Sequence, residues 1–94
     1  MNKLNHYIDV IWHHESLDDP IRLVSELDPN RFELRKLEFF RDGTVGVADC
    51  DRETSQTRLG IVAIPTLDEI NQDRQFVAIS INREVFEHLW FRHA

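Results

Sequence analysis

The residues that could do chemistry in this chain are five histidines, one cysteine and seventeen carboxylates. His13 and His14 are neighbours in a segment that reads as extended, so their rings point to opposite sides of the backbone. His88 and His93 stand five apart in a helical stretch, about 140° from each other around the axis. Neither pair has the i, i+4 spacing on a helix that brings two imidazoles to one ion, and a single cysteine excludes Cys₄ and Cys₂His₂ zinc sites. Cys50 lies between Asp49 and Asp51, whose charges oppose formation of the nucleophilic thiolate. No two carboxylates are set in apolar surroundings as an acid/base pair would need. The nucleophile elbow G-x-S-x-G, the P-loop and the dinucleotide fingerprint are all missing. His13 or His14 acting with a carboxylate is the one enzymatic arrangement left, and no spacing supports it. The expectation is a non-catalytic protein without metal or cofactor.

Charge is more informative. The net charge is −6 over 94 residues. Between Asp9 and Asp28 lie six acids (Asp9, Glu15, Asp18, Asp19, Glu26 and Asp28) against Arg22 alone, a balance of −5, while the other 74 residues carry −1. Binding to nucleic acid needs a surplus of Lys and Arg, so nucleic acid is excluded as the main partner. Clustered charge of one sign either keeps a surface solvated or steers a partner of opposite sign. The aromatics Phe32, Phe39, Phe40, Phe86 and Trp90 fall at core spacings. Tyr7 and Phe91 fall off the apolar stripe of their elements, which makes each a candidate interface anchor.

The elements that must position these residues follow from periodicity. Residues 6–13 alternate, with Ile8, Val10 and Trp12 on one face and Tyr7, Asp9 and Ile11 on the other. Turn residues ending in Pro20 break this pattern, and 21–27 alternates again. Asp28-Pro29-Asn30 is a turn into a third strand over 31–40, where neither face is cleanly apolar and a bulge near Lys36 is expected. Asp42-Gly43 marks a hairpin into a strand over 44–48, in which Gly46 admits a bulky neighbour. Residues 49–56 read as an exposed polar loop, and 57–64 as a fifth strand broken by Gly60. Thr66 and Glu69 form a capping box for a short helix over 67–71. A further extended piece is expected over 76–80. Asn82 caps a C-terminal helix over 83–92 with the stripe Val85, Phe86, Leu89, Trp90 and His93, expected to cover Trp12. The sum is one α+β domain over 1–94: a mainly antiparallel sheet of four to five strands with the C-terminal helix on one face.

Several strings then stand together: the strand Tyr7 to Trp12, Ser25-Glu26-Leu27-Asp28, Arg35-Lys36-Leu37-Glu38 with Phe40-Arg41-Asp42-Gly43, Leu59-Gly60, Ile64-Pro65, Leu67-x-Glu69-Ile70-Asn71, and Glu84-x-Phe86-x-x-Leu89-Trp90. In this order the chain resembles a family of small bacterial stand-alone domains with no assigned activity. The likeness spans nearly the whole chain but contains no catalytic signature, and so carries no functional residue across. What it implies in kind is an immunity protein that neutralises a cognate toxin.

The functional expectation is therefore a binding protein whose acidic hairpin occludes a basic partner, a cognate toxin domain, with the carboxylates standing in for phosphates if that toxin is a nuclease. Tyr7, Asp9, Glu15, Asp18, Asp19, Glu26 and Asp28 are the expected contacts. The alternative is a ligand-binding or regulatory module with a pocket between sheet and C-terminal helix, lined by Trp12 and Trp90. A lone cysteine, no apolar leader in Met1 to His6 and no run of about 20 apolar residues point to a cytoplasmic protein that does not enter membranes. An open sheet edge would also allow self-association.

Overall fold

The computed structural model describes residues 4–54 and 56–94. Met1, Asn2 and Lys3 of the leader reading and Ser55 of the polar loop lie outside them. The elements are β1 (His6–Trp12), β2 (Arg22–Leu27), β3 (Glu33–Phe39), β4 (Val45–Ala48), α1 (Leu67–Asn71), β5 (Phe76–Ser80) and α2 (Arg83–His93). The strands form one antiparallel sheet in the order β4-β3-β2-β1-β5. This is the expected α+β architecture. No helix among the described residues is long and apolar enough to cross a membrane.

The period-2 pattern sends side chains to two faces, and each is covered differently. On one face Val24, Leu37 and Val47 pack against Phe86, with Leu89 and Trp90 of α2 around them. On the other, Ile8, Val10, Leu27 and Ala78 pack against Ile64, Leu67, Ile70 and Phe76, from α1, the segment before it and β5. Trp12 shares the α1 face, stacked 5.6 Å from Phe76, so α2 does not cover it. Both helices start on the expected caps. Thr66 Oγ1 accepts from the Glu69 N–H at 3.2 Å, and Asn82 Oδ1 from the Val85 N–H at 2.8 Å.

Two parts of the sequence behave otherwise than expected. Residues 57–64 form no strand, and the fifth strand is Phe76–Ser80. The aliphatic run is spent differently along its length: Ile61 is 91% exposed, whereas Ile64 packs against the core. The tie here is to the β2–β3 turn. Arg31, at φ +70°, places its guanidinium on the carbonyls of Ile64 and Pro65 at 2.9 and 2.7 Å, and its own carbonyl accepts from the Ile64 N–H. The bulge also lies slightly off the expected place. Glu26 is opposite Arg35 but Leu27 is opposite Glu33, so Leu34 is the extra residue. That shift turns Glu33 onto the α1 face, where it pairs with Lys36 at 3.0 Å. A strict alternation would have put Glu33 with Leu37 on the opposite face.

The β5 edge is closed by a side chain. Ala78 turns its N–H and C=O away from β1, because the bonds to β1 alternate with the residues flanking it. Asn71, the last residue of α1, meets both: its Oδ1 accepts from the Ala78 N–H at 2.7 Å and its Nδ2 donates to the Ala78 carbonyl at 2.9 Å. Replacing Asn71 by Ala should lower unfolding stability by about 1–3 kcal/mol through the two lost bonds. It should also make sedimentation concentration-dependent as the freed edge recruits a second copy. Urea titration and analytical ultracentrifugation check the two effects.

Candidate functional site

The structure divides the seven acidic-hairpin residues into two groups of three, with Asp28 apart from both. Tyr7, Asp9 and Glu26 project from the sheet face beneath or beside α2. Tyr7 is half-buried, its ring 5.5 Å from that of Phe86 and its hydroxyl donating to Glu26 Oε2 at 3.0 Å. Burial, then the bond to the Glu26 carboxylate, raises the Tyr7 pKa above its ordinary value. Glu26 is buried and accepts from Asn5 Nδ2 at 3.2 Å and from Arg35 Nε at 2.6 Å. Burial alone would push its carboxyl up. The bonds from Arg35, Asn5 and Tyr7 outweigh that and hold it below the usual carboxylate range. Arg35 also grips Glu87 of α2 with Nη1 and Nη2 at 2.8 and 2.9 Å, and lies 4.8 and 5.2 Å from the Phe86 and Trp90 ring centroids. Asp9 is held by Arg22 through two bonds, 3.0 and 2.7 Å. These carboxylates bind the sheet to itself and to α2.

Asp28 serves the β2–β3 turn, its Oδ1 accepting from the N–H groups of Asn30 and Phe32 at 2.8 and 3.0 Å.

Glu15, Asp18 and Asp19 form the second group. All three are exposed on the loop between β1 and β2. Among the described residues none of their carboxylates makes an ion pair or a hydrogen bond. Leu17 sits between them with its side chain 80% exposed. The loop is nonetheless firmly shaped. His14 Nδ1 accepts from the Ser16 N–H at 3.0 Å, which leaves Nε2 as the donor to the Pro20 carbonyl at 2.8 Å. One imidazole thus ties both ends of the loop, and neither ring nitrogen is open for proton transfer. Arg41 Nη2 adds a bond to the His14 carbonyl at 2.7 Å.

The folded chain also brings Asp42 to this end. Asp42 caps the β3–β4 turn, its Oδ1 accepting from Thr44 N–H and Oγ1 at 2.9 and 2.7 Å, bonds that hold its carboxyl below the ordinary range. Leu17, Asp18, Asp42, Thr44, Thr54 and Gln56 surround an open cleft of about 340 Å³. Asp42 was not singled out by charge clustering, because it is 23 residues from Asp19 in a nearly neutral stretch.

Trp12 and Trp90 lie on opposite faces, so among the described residues no cavity is lined by both. Apolar clefts lie beneath α1 and, on the other face, between Arg22 of β2 and Val85, His88 and Leu89 of α2. Cys50 is exposed, and the charge of Asp51, with a smaller contribution from Asp49, raises its thiol pKa. Among the described residues no three His, Cys, Asp or Glu side chains gather as a metal site would require.

A five-stranded antiparallel sheet with a long helix on one face, a short one on the other and a shaped acidic loop at one end defines the class. The chain belongs to the family described as Domain of unknown function (DUF6881), whose model matches residues 6–94. No curated protein and no solved structure matches it.

Proposed function

We propose that this protein is a non-catalytic binding protein of the immunity kind, which docks the acidic end formed by Glu15, Leu17, Asp18, Asp19 and Asp42 onto a basic protein, a cognate toxin domain. The observation that carries this reading is an exposed leucine flanked by carboxylates without internal partners, on a loop tied by His14 and Arg41. A loop already held in shape loses little conformational freedom on binding, and an apolar anchor inside a charged rim is how such surfaces combine affinity with selection. Opposite charge steers the encounter, and burying Leu17 slows release. Where the toxin is a nuclease, its groove is basic because it must hold phosphates, and these carboxylates would take their places.

The test is charge reversal followed by kinetics. The partner is first captured from the native host with the wild-type chain as bait and then purified. Stopped-flow association with the D18K/D19K variant should be at least about tenfold slower at low salt, with a flatter dependence on ionic strength. Unchanged rates and salt slope would exclude this end of the molecule as the docking surface. Glu26→Gln should leave the rates unaltered, since that carboxylate is buried.

A further inference from the structure

The outer face of α2 is used by neither core nor by the acidic end. Phe91 stands on it 92% exposed, and Val85 is 44% exposed. Counted at about 100° per residue from the buried Phe86, the side chains of Glu84, His88 and Phe91 point within about 40° of the direction away from the sheet, with Val85 and Arg92 flanking them. All five are exposed. Glu84 belongs to the first turn of the helix and Arg92 to the last. Among the described residues neither makes an ion pair, whereas Glu87 beside them is held by Arg35.

This stripe is symmetric about His88. Glu84 stands four residues before it and Arg92 four after it, and Val85 stands three before and Phe91 three after. A two-fold axis sets the same patch of two copies against itself. With the helices antiparallel and His88 at the axis, Glu84 comes beside the partner's Arg92 at both ends, and Phe91 comes beside the partner's Val85 between them. A parallel pair would set Glu84 against the partner's Glu84 and Arg92 against the partner's Arg92, and would align the two helix dipoles instead of opposing them. Packed helices approach to about 8–10 Å between axes, which a phenylalanine ring and long charged side chains can span. A different protein would not require opposite charges at equal distances from one residue, so the symmetry selects a second copy of this chain.

We propose that the outer face of α2 is a homodimer contact, in which two copies pair antiparallel about a two-fold axis at His88. It uses no residue of the acidic end and does not depend on the toxin-binding reading. A helix of 11 residues buries less than the total of about 1,200 Å² at which stable complexes begin. The dimer is therefore weak, with a dissociation constant of about 0.1 mM. The protein is monomeric in the dilute solutions in which release of the β5 edge is read.

The experiment is sedimentation equilibrium of the whole chain from about 10 µM to about 1 mM, a range that brackets this constant. The mass of the wild type should rise from one chain toward two. E84R and R92E should each weaken dimerisation at least about tenfold, since the symmetry turns each substitution into two like-charge contacts. The E84R/R92E variant should return to within about threefold of the wild type. Both substitutions oppose the α2 dipole, and the double variant keeps both of those losses, so its recovery reports the contact between copies and not the helix. F91S should weaken dimerisation about tenfold with its urea midpoint unchanged, because the ring is exposed in the monomer. A wild type that stays monomeric at the highest concentration, a charge swap that does not recover, or a mass that climbs past two chains would each overturn the assignment. So would concentration-dependent amide shifts at Val77 and Ile79 in place of Val85 and Phe91, which would put the contact on β5.

Discussion

Replacing Arg35 by methionine should destabilise the protein by about 3 kcal/mol, read from the urea midpoint at neutral pH. Arg35 is the junction of the α2 face: one guanidinium serves Glu26 on β2 and Glu87 on α2 and lies against both Phe86 and Trp90. The Arg35 and Glu26 side chains are only 21% and 11% exposed. Methionine fills much of the same space, so the main loss is not packing. It is the Glu26 charge left without a cation in a place where water reaches it poorly. The double variant R35M/E26Q should therefore be more stable than R35M alone, since a neutral amide can still bond Tyr7 and Asn5.

The pH dependence separates this cause from a packing defect. In the native protein the bonds to Glu26 hold its folded pKa below that of the unfolded chain, about 4.3 for an ordinary glutamate. Its contribution is thus present above that value and lost as pH falls through the lower folded one. In R35M burial acts without the cation, so the folded pKa rises instead. The gap between native and variant should then narrow as pH drops from 7 toward 4. A gap that stays constant over that range would show that Arg35 acts through its stem rather than its charge.

Gly46→Ala is the second large effect, with an expected cost of about 1–3 kcal/mol from overpacking. A Cβ at position 46 would fall on the Thr57 side chain, 2.9 Å from its Cβ and closer still to its hydroxyl oxygen. Thr57 is fully buried and donates to Glu38 Oε1 at 2.7 Å. This bond pins the irregular segment 56–66 to the sheet face shared by Glu38 and Lys36. Displacing Thr57 would leave Glu38 without that donor and loosen the segment, adding about 1 kcal/mol. Hydrogen exchange should rise at Thr54 and Thr57 more than in β1 or β2. The variant T57A/G46A should recover little of the loss, because the Cβ at position 57 still stands 2.9 Å from the added methyl group and Glu38 still lacks its donor.

The chain's local patterns carried much of the fold. Alternation in 6–13 and 21–27, the Asp42-Gly43 turn and the caps Thr66 and Asn82 depend on bonds within a few residues, so they can be read from spacing. The segment 57–64 could not be read this way. Its aliphatic run has strand character, but β4 is the end of the sheet and the chain there bonds to turn and side-chain groups instead. The helix face was misjudged for a related reason. The stripe of α2 says that it covers a sheet, but not which of two apolar faces.

The acidic hairpin shows the same division within one feature. The sequence by itself determined that negative charge concentrates between Asp9 and Asp28, that Cys50 sits among acids, and that strands and helices succeed one another as they do, because these follow from composition and from contacts of short range. Only the tertiary structure decided which of those charges face outward. Asp9 and Glu26 meet Arg22 and Arg35, the latter from β3 outside the hairpin, and Asp28 turns into its own loop, while Glu15, Asp18 and Asp19 remain at the surface, Asp18 sharing a cleft with Asp42. Net charge is a sum over residues and carries no geometry. Whether a carboxylate holds the fold or is offered to a partner depends on which cation the sheet register places within a few ångströms of it.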